Sequence, residues 1–318
     1  MIGEVEGRAD LGREAWGTVP GLVRSAARRF GGDEAVVDGR TRVTYAELGA
    51  RVERAAAACV ANGVRTGDRV ALWAPNSLDW IVSALGAVSA GAVLVPLNTR
   101  FKGGEAADVL ARSRARLLFV TGTFLGTSYV ASLRRAAGAD GGRLRARGAG
   151  SVCERPGPLP ALPHLEQVVV LADDAPADFR TWKDFLASGD GVGERAVRER
   201  AEALTGDSPS DIVFTSGTTG RSKGVVISHA QTLRAYEVWS ELAGLRRGDR
   251  YLIVNPFFHT FGYKAGVIAC LMRGATMIPQ PVFNVETAMA NVAAERVTVL
   301  PGPPGIWTPP PQGHGTTP

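Results

Sequence analysis

The sequence predicts an α/β fold of mainly parallel β-sheets sandwiched by helices. Two observations carry that expectation. Short β-branched runs alternate with amphipathic or apolar helical segments from about residue 35 to residue 137, and again from about residue 168 to residue 300. Capping residues and glycines punctuate the same alternation. At 318 residues with 45% hydrophobic content, the chain is long enough for a large buried core, in one big or two medium domains.

Taken in order, Thr18 is the N-cap and Pro20 lies in the first turn of a helix that runs to Phe30, closed by Gly31-Gly32. Residues 35–38 and 42–44 form a hairpin around Gly39. Thr44-Tyr45-Ala46-Glu47 has capping-box spacing and starts a helix that ends at Asn62-Gly63. Residues 69–73 read as a strand, Ser77 caps a helix to Ala90, and 93–95 is a short buried strand before Pro96. A helix over 105–113, a strand over 117–120 and a helix over 129–137 continue the rhythm.

Residues 138–163 break it. They are rich in Gly, Arg, Ala and Pro without an apolar period, and read as a low-complexity insertion. Strand character resumes at 168–171, Thr181 caps a short helix, and 194–204 is a surface helix. Later elements are strands over 212–214 and 225–227, an amphipathic helix from His229 to about Leu242, and a strand over 251–254. A loop over 255–262 leads to an apolar helix that Gly274 ends, followed by a strand at 275–278, a helix at 285–295 and a last strand at 297–300. In the final 18 residues seven are proline, so residues 305–318 are expected to form an irregular Pro/Gly/Thr tail in which no helix can grow.

Composition excludes several classes. The net charge of +5, from 36 basic and 31 acidic residues, comes from scattered arginines without interleaved aromatics, so no nucleic-acid surface is expected. Cys59, Cys153 and Cys270 lie far apart, which fits neither a zinc site nor a disulfide framework and points to a reducing, cytoplasmic setting. Glu4, Glu6, Arg8 and Asp10 replace the apolar core that a secretory signal needs. The uncharged run 80–97 is nearly long enough to span a bilayer, but Gly91 and Pro96 divide it into a helix and a strand.

The chemistry concentrates in Thr215-Ser216-Gly217-Thr218-Thr219-Gly220-Arg221-Ser222-Lys223-Gly224, between two β-branched runs. Glycines let backbone N–H groups turn toward an anion, hydroxyls donate further hydrogen bonds, and a lysine adds a point charge, so the loop reads as a polyphosphate grip. It is not a P-loop. With Lys223 as the motif lysine, G-x-x-x-x-G-K-[ST] needs glycine at Ser222 and a hydroxyl at Gly224, and a strand follows where a P-loop has a helix. The bland alternative is a Gly/Ser/Thr surface hairpin with a solvated lysine.

This stretch, with the apolar strand and Ser228-His229 after it, resembles the signature loop of the adenylate-forming superfamily, and Thr44-Tyr45-Ala46-Glu47-Leu48 resembles that superfamily's first core motif. Residues 86–98 resemble its second, with a packing role. The loop Asn255-Pro256-Phe257-Phe258-His259-Thr260-Phe261-Gly262 resembles its fourth, and is similar to the fatty-acid CoA ligase branch, which includes enzymes that activate steroid-ring-derived propanoates. By resemblance the fold is the large N-terminal domain of such enzymes, incomplete at the C-terminus. Residues 1–304 would be a partial adenylation domain carrying the 138–163 insertion.

The resemblance implies an acyl-CoA ligase, with ATP, Mg2+ and coenzyme A as cofactors and a fatty or ring-bearing carboxylic acid as substrate. Thr215, Ser216, Gly217, Thr218, Thr219, Gly220 and Lys223 would hold the nucleotide phosphates, and Phe258, His259 and Gly262 would line the acyl pocket. For His259 a satisfied structural role stays open beside the pocket role. Tyr263, Lys264 and Gly266 fall where pocket walls are expected, although a surface position is the usual fate of such a lysine. His229 is expected to be structural or helix-capping, and Trp80 and Trp239 to pack in the core. The family's Tyr-Gly-x-Thr-Glu motif and its catalytic lysine have no counterpart within 318 residues, so the expectation is a catalytically incomplete chain. The alternatives are a nucleotide- or acyl-binding remnant and a P-loop kinase or ATPase.

Overall fold

The computed structural model describes residues 16–138, 159, 161–177, 179–215 and 222–302. The chain opens with α1 (Val19–Arg29), the hairpin β1 (Glu34–Asp38) and β2 (Thr41–Thr44), then α2 (Tyr45–Ala61), β3 (Arg69–Trp73), α3 (Leu78–Ser89) and β4 (Val93–Pro96). There follow α4 (Gly103–Ser113), β5 (Leu117–Val120), a small hairpin β6 (Thr123–Phe124) and β7 (Thr127–Ser128), α5 (Tyr129–Ala136), β8 (Gln167–Val170) and β9 (Arg180–Thr181). Then come α6 (Trp182–Ala187), α7 (Glu194–Glu202), β10 (Pro209–Thr215), β11 (Lys223–Ser228), α8 (His229–Leu242) and β12 (Arg250–Ile253). A π-helix (Phe261–Ile268), α9 (Ala269–Arg273), β13 (Thr276–Pro279) and α10 (Val285–Ala294) complete the described elements.

Two sheets organise them. The larger has the order β11-β10-β4-β3-β5-β8-β9, parallel throughout except for the antiparallel β10–β11 pair. The smaller has the order β12-β13-β1-β2, parallel except for β1–β2. Strand residues of the large sheet divide by parity. Val70, Leu72, Leu117 and Phe119 join the core that α1, α2 and α3 fill, whereas Ala71, Trp73, Leu118 and Val120 face α4 and α5. A strand buried on both faces has no polar side to show, which is why these runs carry no polar alternation. The second sheet shares the central helical layer through Val36, Tyr251, Ile253 and Met277, and its far face packs on α10.

The helix starts follow their caps. The Thr18 hydroxyl accepts from Gly21 N–H, Ser77 from Trp80 N–H, and Thr181 from Asp184 N–H. Thr44 and Glu47 close a reciprocal capping box, with Thr44 N–H donating to Glu47 Oε2 at 2.8 Å. Gly274, at φ +73°, ends α9 in the left-handed region, where a Cβ would also meet the Phe30 ring at 2.8 Å.

Four features differ from the sequence reading or add to it. The apolar helix after residue 260 begins as a π-helix. The strand at 297–300 shrinks to one bridge, Tyr251 to Val299, because Arg296 turns through a positive φ just before it and Pro301 has no N–H to extend it. The β6–β7 hairpin turns on Leu125-Gly126 with φ of 48° and 74°, a turn without the Asn-Gly or Asp-Gly signal that would announce it. Within 138–163, residues 139–158 and 160 lie outside the described residues, but Leu159 and Leu162 are buried with Leu165 against α5 and β8, so packing resumes earlier than the composition implied. The tail 305–318 also lies outside the described residues. Among the described residues no helix is long and apolar enough to cross a membrane.

Tyr45, the second residue of the capping box, ties the central helices to the small sheet. Its buried hydroxyl lies 2.9 Å from the Cys270 carbonyl and 2.7 Å from the Ala275 carbonyl, and one proton serves both. Tyr45→Phe takes the hydroxyl donor from the Ala275 carbonyl, while the Cys270 carbonyl keeps Gly274 N–H at 2.8 Å, at an expected cost of about 1–3 kcal/mol. Urea denaturation should show a lower midpoint with an unchanged m value.

Candidate functional site

The hairpin β10–β11 sits at the edge of the large sheet. Its ladder runs Asp211 to Ile227, Ile212 to Val226, Val213 to Val225, Phe214 to Gly224 and Thr215 to Lys223. Thr215 and Lys223 therefore stand directly opposite each other, both exposed, where the two strands leave the sheet. Ser216, Gly217, Thr218, Thr219 and Gly220 lie between them, outside the described residues. Because β10 runs parallel to β4, this loop emerges at the carboxyl end of the parallel strands, where ligands of open α/β sheets bind. The strand after the lysine is thus an antiparallel partner, which the spacing anticipated, and no helix follows the loop as in a P-loop.

Gly224 has a packing reason: a Cβ there would meet Ile212 Cγ2 at 3.1 Å and the Phe214 ring at 3.2 Å. Arg112 of α4, which the sequence did not single out, lies with its guanidinium 5.2 Å from the Phe214 ring centroid and Nη1 3.4 Å from Ser222 Oγ. It is held by Asp108 one turn earlier, at 3.1 Å. A cation beside the hairpin was illegible because α4 is distant in sequence and reads as an ordinary surface helix.

The aromatic turn after β12 is built on a buried asparagine, also missed. Asn76 Nδ2 donates to the Ile253 and Asn255 carbonyls at 3.2 and 2.9 Å, and its Oδ1 accepts from Phe257 N–H at 2.7 Å. Phe257 is thereby fixed in the core, 5.0 Å from the Trp80 ring, while Phe258 is half-buried and His259 exposed. His259 Nδ1 accepts from Phe261 N–H at 3.2 Å, a local turn contact. Gly262 is buried where a Cβ would lie 2.2 Å from the Pro256 carbonyl oxygen, so only glycine fits. Phe258, His259 and Gly262 thus belong to one turn, with Gly262 contributing backbone space.

Lys264 corrects the expectation of a surface lysine. The π-helix turns it inward, and its Nζ lies 2.9 Å from Asp211 Oδ2, with the two side chains only 1% and 2% exposed. Lys264 also donates to Thr232 Oγ1 at 3.0 Å, and Asp211 Oδ1 lies 2.6 Å from Ser210 Oγ. Burial lowers the lysine pKa, and the adjacent Asp211 charge opposes that shift. One ion pair therefore joins β10, four residues before Thr215, to the helix that begins beside Gly262, with α8 as third partner. Among the described residues no cluster of three His, Cys, Asp or Glu side chains could hold a metal ion.

Beside the pair, His229 caps the same junction. Its Nδ1 accepts from Val19 N–H at 3.2 Å, which leaves the proton on a buried Nε2. Burial, then the nearby Lys264 charge, lowers its pKa to about 4. The structural expectation for His229 fits these contacts.

An α/β sandwich whose edge hairpin presents Thr215 opposite Lys223 across a Gly/Ser/Thr loop matches the scaffold expected of the adenylate-forming class. The sequence model of the AMP-binding enzyme family matches residues 23–312, and the chain belongs to that family. It is 45% identical over 292 residues to a Rhodococcus jostii ligase named for 3-(7a-methyl-1,5-dioxo-octahydro-1H-inden-4-yl)propanoyl:CoA, covering 91% of this chain and 53% of that protein. It is 30% identical over 265 residues to the long-chain-fatty-acid–CoA ligase FadD13 of Mycobacterium tuberculosis, covering 83% and 45%. Among solved structures, the inhibitor-bound N-terminal domain of FACL13 from Mycobacterium tuberculosis superimposes with a TM-score of 0.71 at 27% identity, covering 91% of this chain and 63% of that one. The chain spans about half the length of the curated relatives it matches.

The depressed His229 pKa has a stability consequence. The unfolded imidazole, near 6.5, binds a proton that the folded one refuses until about pH 4, so the unfolded state gains as pH falls through that window. Stability from this group is complete above about pH 6.5 and lost toward pH 4, by roughly 2–3 kcal/mol. Denaturation of wild type and His229→Gln across that range should show the steeper acid loss in wild type, with the difference flat above pH 7.

Proposed function

We propose that this chain carries the nucleotide-polyphosphate and acyl-binding portion of an ATP-dependent carboxylate–CoA ligase. The observation that carries the reading is the β10–β11 hairpin, which sets Thr215 against Lys223 at the carboxyl end of the parallel strands. Backbone N–H groups and hydroxyls of Ser216, Gly217, Thr218, Thr219 and Gly220 would surround the β- and γ-phosphate oxygens, and Lys223 would supply the charge. Arg112 adds a second cation within reach of the loop's end.

In the half-reactions of this enzyme class, a carboxylate attacks the α-phosphate to give an acyl-adenylate and pyrophosphate, and the coenzyme A thiol then displaces AMP. A Gly/Ser/Thr/Lys clasp serves the first step by positioning and by spreading charge on the leaving pyrophosphate. Mg2+ would arrive on the nucleotide. No residue of this chain is assigned to it, because the described residues offer no metal cluster. The aromatic turn at Phe258, His259 and Gly262 would form part of the acyl pocket. A ring-bearing acid is supported by the name of the Rhodococcus relative, and a fatty acid by that of FadD13. A cytoplasmic setting accords with a soluble nucleotide and thiol as co-substrates.

Calorimetric titration of the purified chain with ATP tests the reading. Saturable binding is expected, and Lys223→Ala should weaken it by at least tenfold, since a charged hydrogen bond to phosphate is worth about 1.5–3 kcal/mol. Absence of binding, or an unchanged Kd in the variant, would overturn it.

A further inference from the structure

The edge strand of the nucleotide hairpin lacks the usual determinant of its register. Residues 223–226 of β11 are exposed, with Val225 at 47% and Val226 at 58%. No buried face of β11 selects one alignment over the next, the close approach of Gly224 to Ile212 and Phe214 being its one packing preference, and β11 pairs only with β10 among the described strands. A strand without a buried face is prone to slip by one residue, and such a slip would move Lys223 off Thr215 and turn it to the opposite face.

The alignment is decided at a bulge. Pro209 pairs with Ser228 and Asp211 with Ile227, so two residues of β10 advance for one of β11. Below the bulge, the base of the hairpin is anchored through His229 N–H to the Ser208 carbonyl at 3.1 Å and Ala230 N–H to the Gly206 carbonyl at 2.8 Å. Above it, every pair out to Thr215 and Lys223 inherits the shift. In a regular strand consecutive side chains face opposite ways. Here Ser210 and Asp211 are both buried, at 3% and 1%. An inward carboxylate at this point is tolerable only with a cation against it, and Lys264 Nζ at 2.9 Å is that cation.

We propose that Lys264 is a positioning residue: by holding Asp211 inward it maintains the bulge at Ser210, and so sets the register that places Lys223 opposite Thr215. The functional consequence rests on the nucleotide reading above, whereas the register claim does not. Without the ammonium, Asp211 relieves its burial by turning outward, the bulge closes, and Val225 pairs with Ile212 in place of Val213.

Two cysteine pairs report the two registers, each in a Cys153→Ser background because Cys59 and Cys270 are buried. Val213→Cys/Val225→Cys joins the native partners and Ile212→Cys/Val225→Cys the slipped ones. Under mild oxidation of the otherwise wild-type chain, the 213/225 disulfide should dominate. Lys264→Met should lower its yield at least fivefold and raise the 212/225 product. Adding Asp211→Leu, which removes the buried charge, should return the cross-link to 213/225. Lys264→Gln, which keeps a donor but no charge, is the milder variant for a chain that Met prevents from folding, judged by the same two products. A folded Lys264→Met or Lys264→Gln chain that retains the full 213/225 yield and forms no 212/225 product would overturn the proposal. ATP titration in parallel should show at least a tenfold weaker Kd for Lys264→Met. Wild type without ATP affinity would sink the nucleotide reading alone, because the cross-links report register without ligand.

Discussion

The ion pair between Asp211 and Lys264 is the interaction on which the candidate site depends. It joins β10 of the large sheet to the π-helix that leaves the small sheet, and α8 closes it through Thr232. Desolvating two charges is costly and their attraction repays little beyond it, so the pair is a poor source of net stability. Its value is conditional. Either charge alone would be left buried and unpaired, at a cost of about 3–5 kcal/mol, so the pair penalises arrangements in which these elements are not seated together. Asn76 plays the neutral counterpart one layer away, holding the ends of β12 and the aromatic turn by three hydrogen bonds.

Most elements were legible because their signals are local. Thr18, Thr44, Ser77 and Thr181 each cap the helix that their spacing marked, and α3, β3 and β5 run where their apolar runs place them. The paired strands around the glycine-rich loop were legible for the same reason, since β-branched runs on both sides leave no room for a helix after Lys223. What stayed hidden is what only tertiary contact decides. A lysine between Tyr263 and Ala265 reads as exposed until the wider π-helical turn rotates it onto Asp211. Asn76 looks like a turn residue, Arg112 like a surface cation, and the Leu125-Gly126 turn lacks the residues that usually adopt its angles.

The arrangement also explains why the glycine-rich stretch of this chain differs from a P-loop in more than wording. A P-loop draws on the N-terminus of the helix that follows it. Here the loop spans an antiparallel hairpin, so in the proposed phosphate grip the charge would come from side chains: Lys223 on one strand and Arg112 from a neighbouring helix. Such a grip depends on strand register more than a helix terminus does, because one residue of slip reverses the direction of the lysine.

The most direct measurement of this account is a crystal structure of the chain with ATP bound. The β- and γ-phosphates are expected within the 216–221 loop, with Lys223 directed at them across from Thr215 and Asp211 still paired with Lys264 beneath. Nucleotide bound elsewhere on the chain, with Lys223 turned to bulk water, would contradict it.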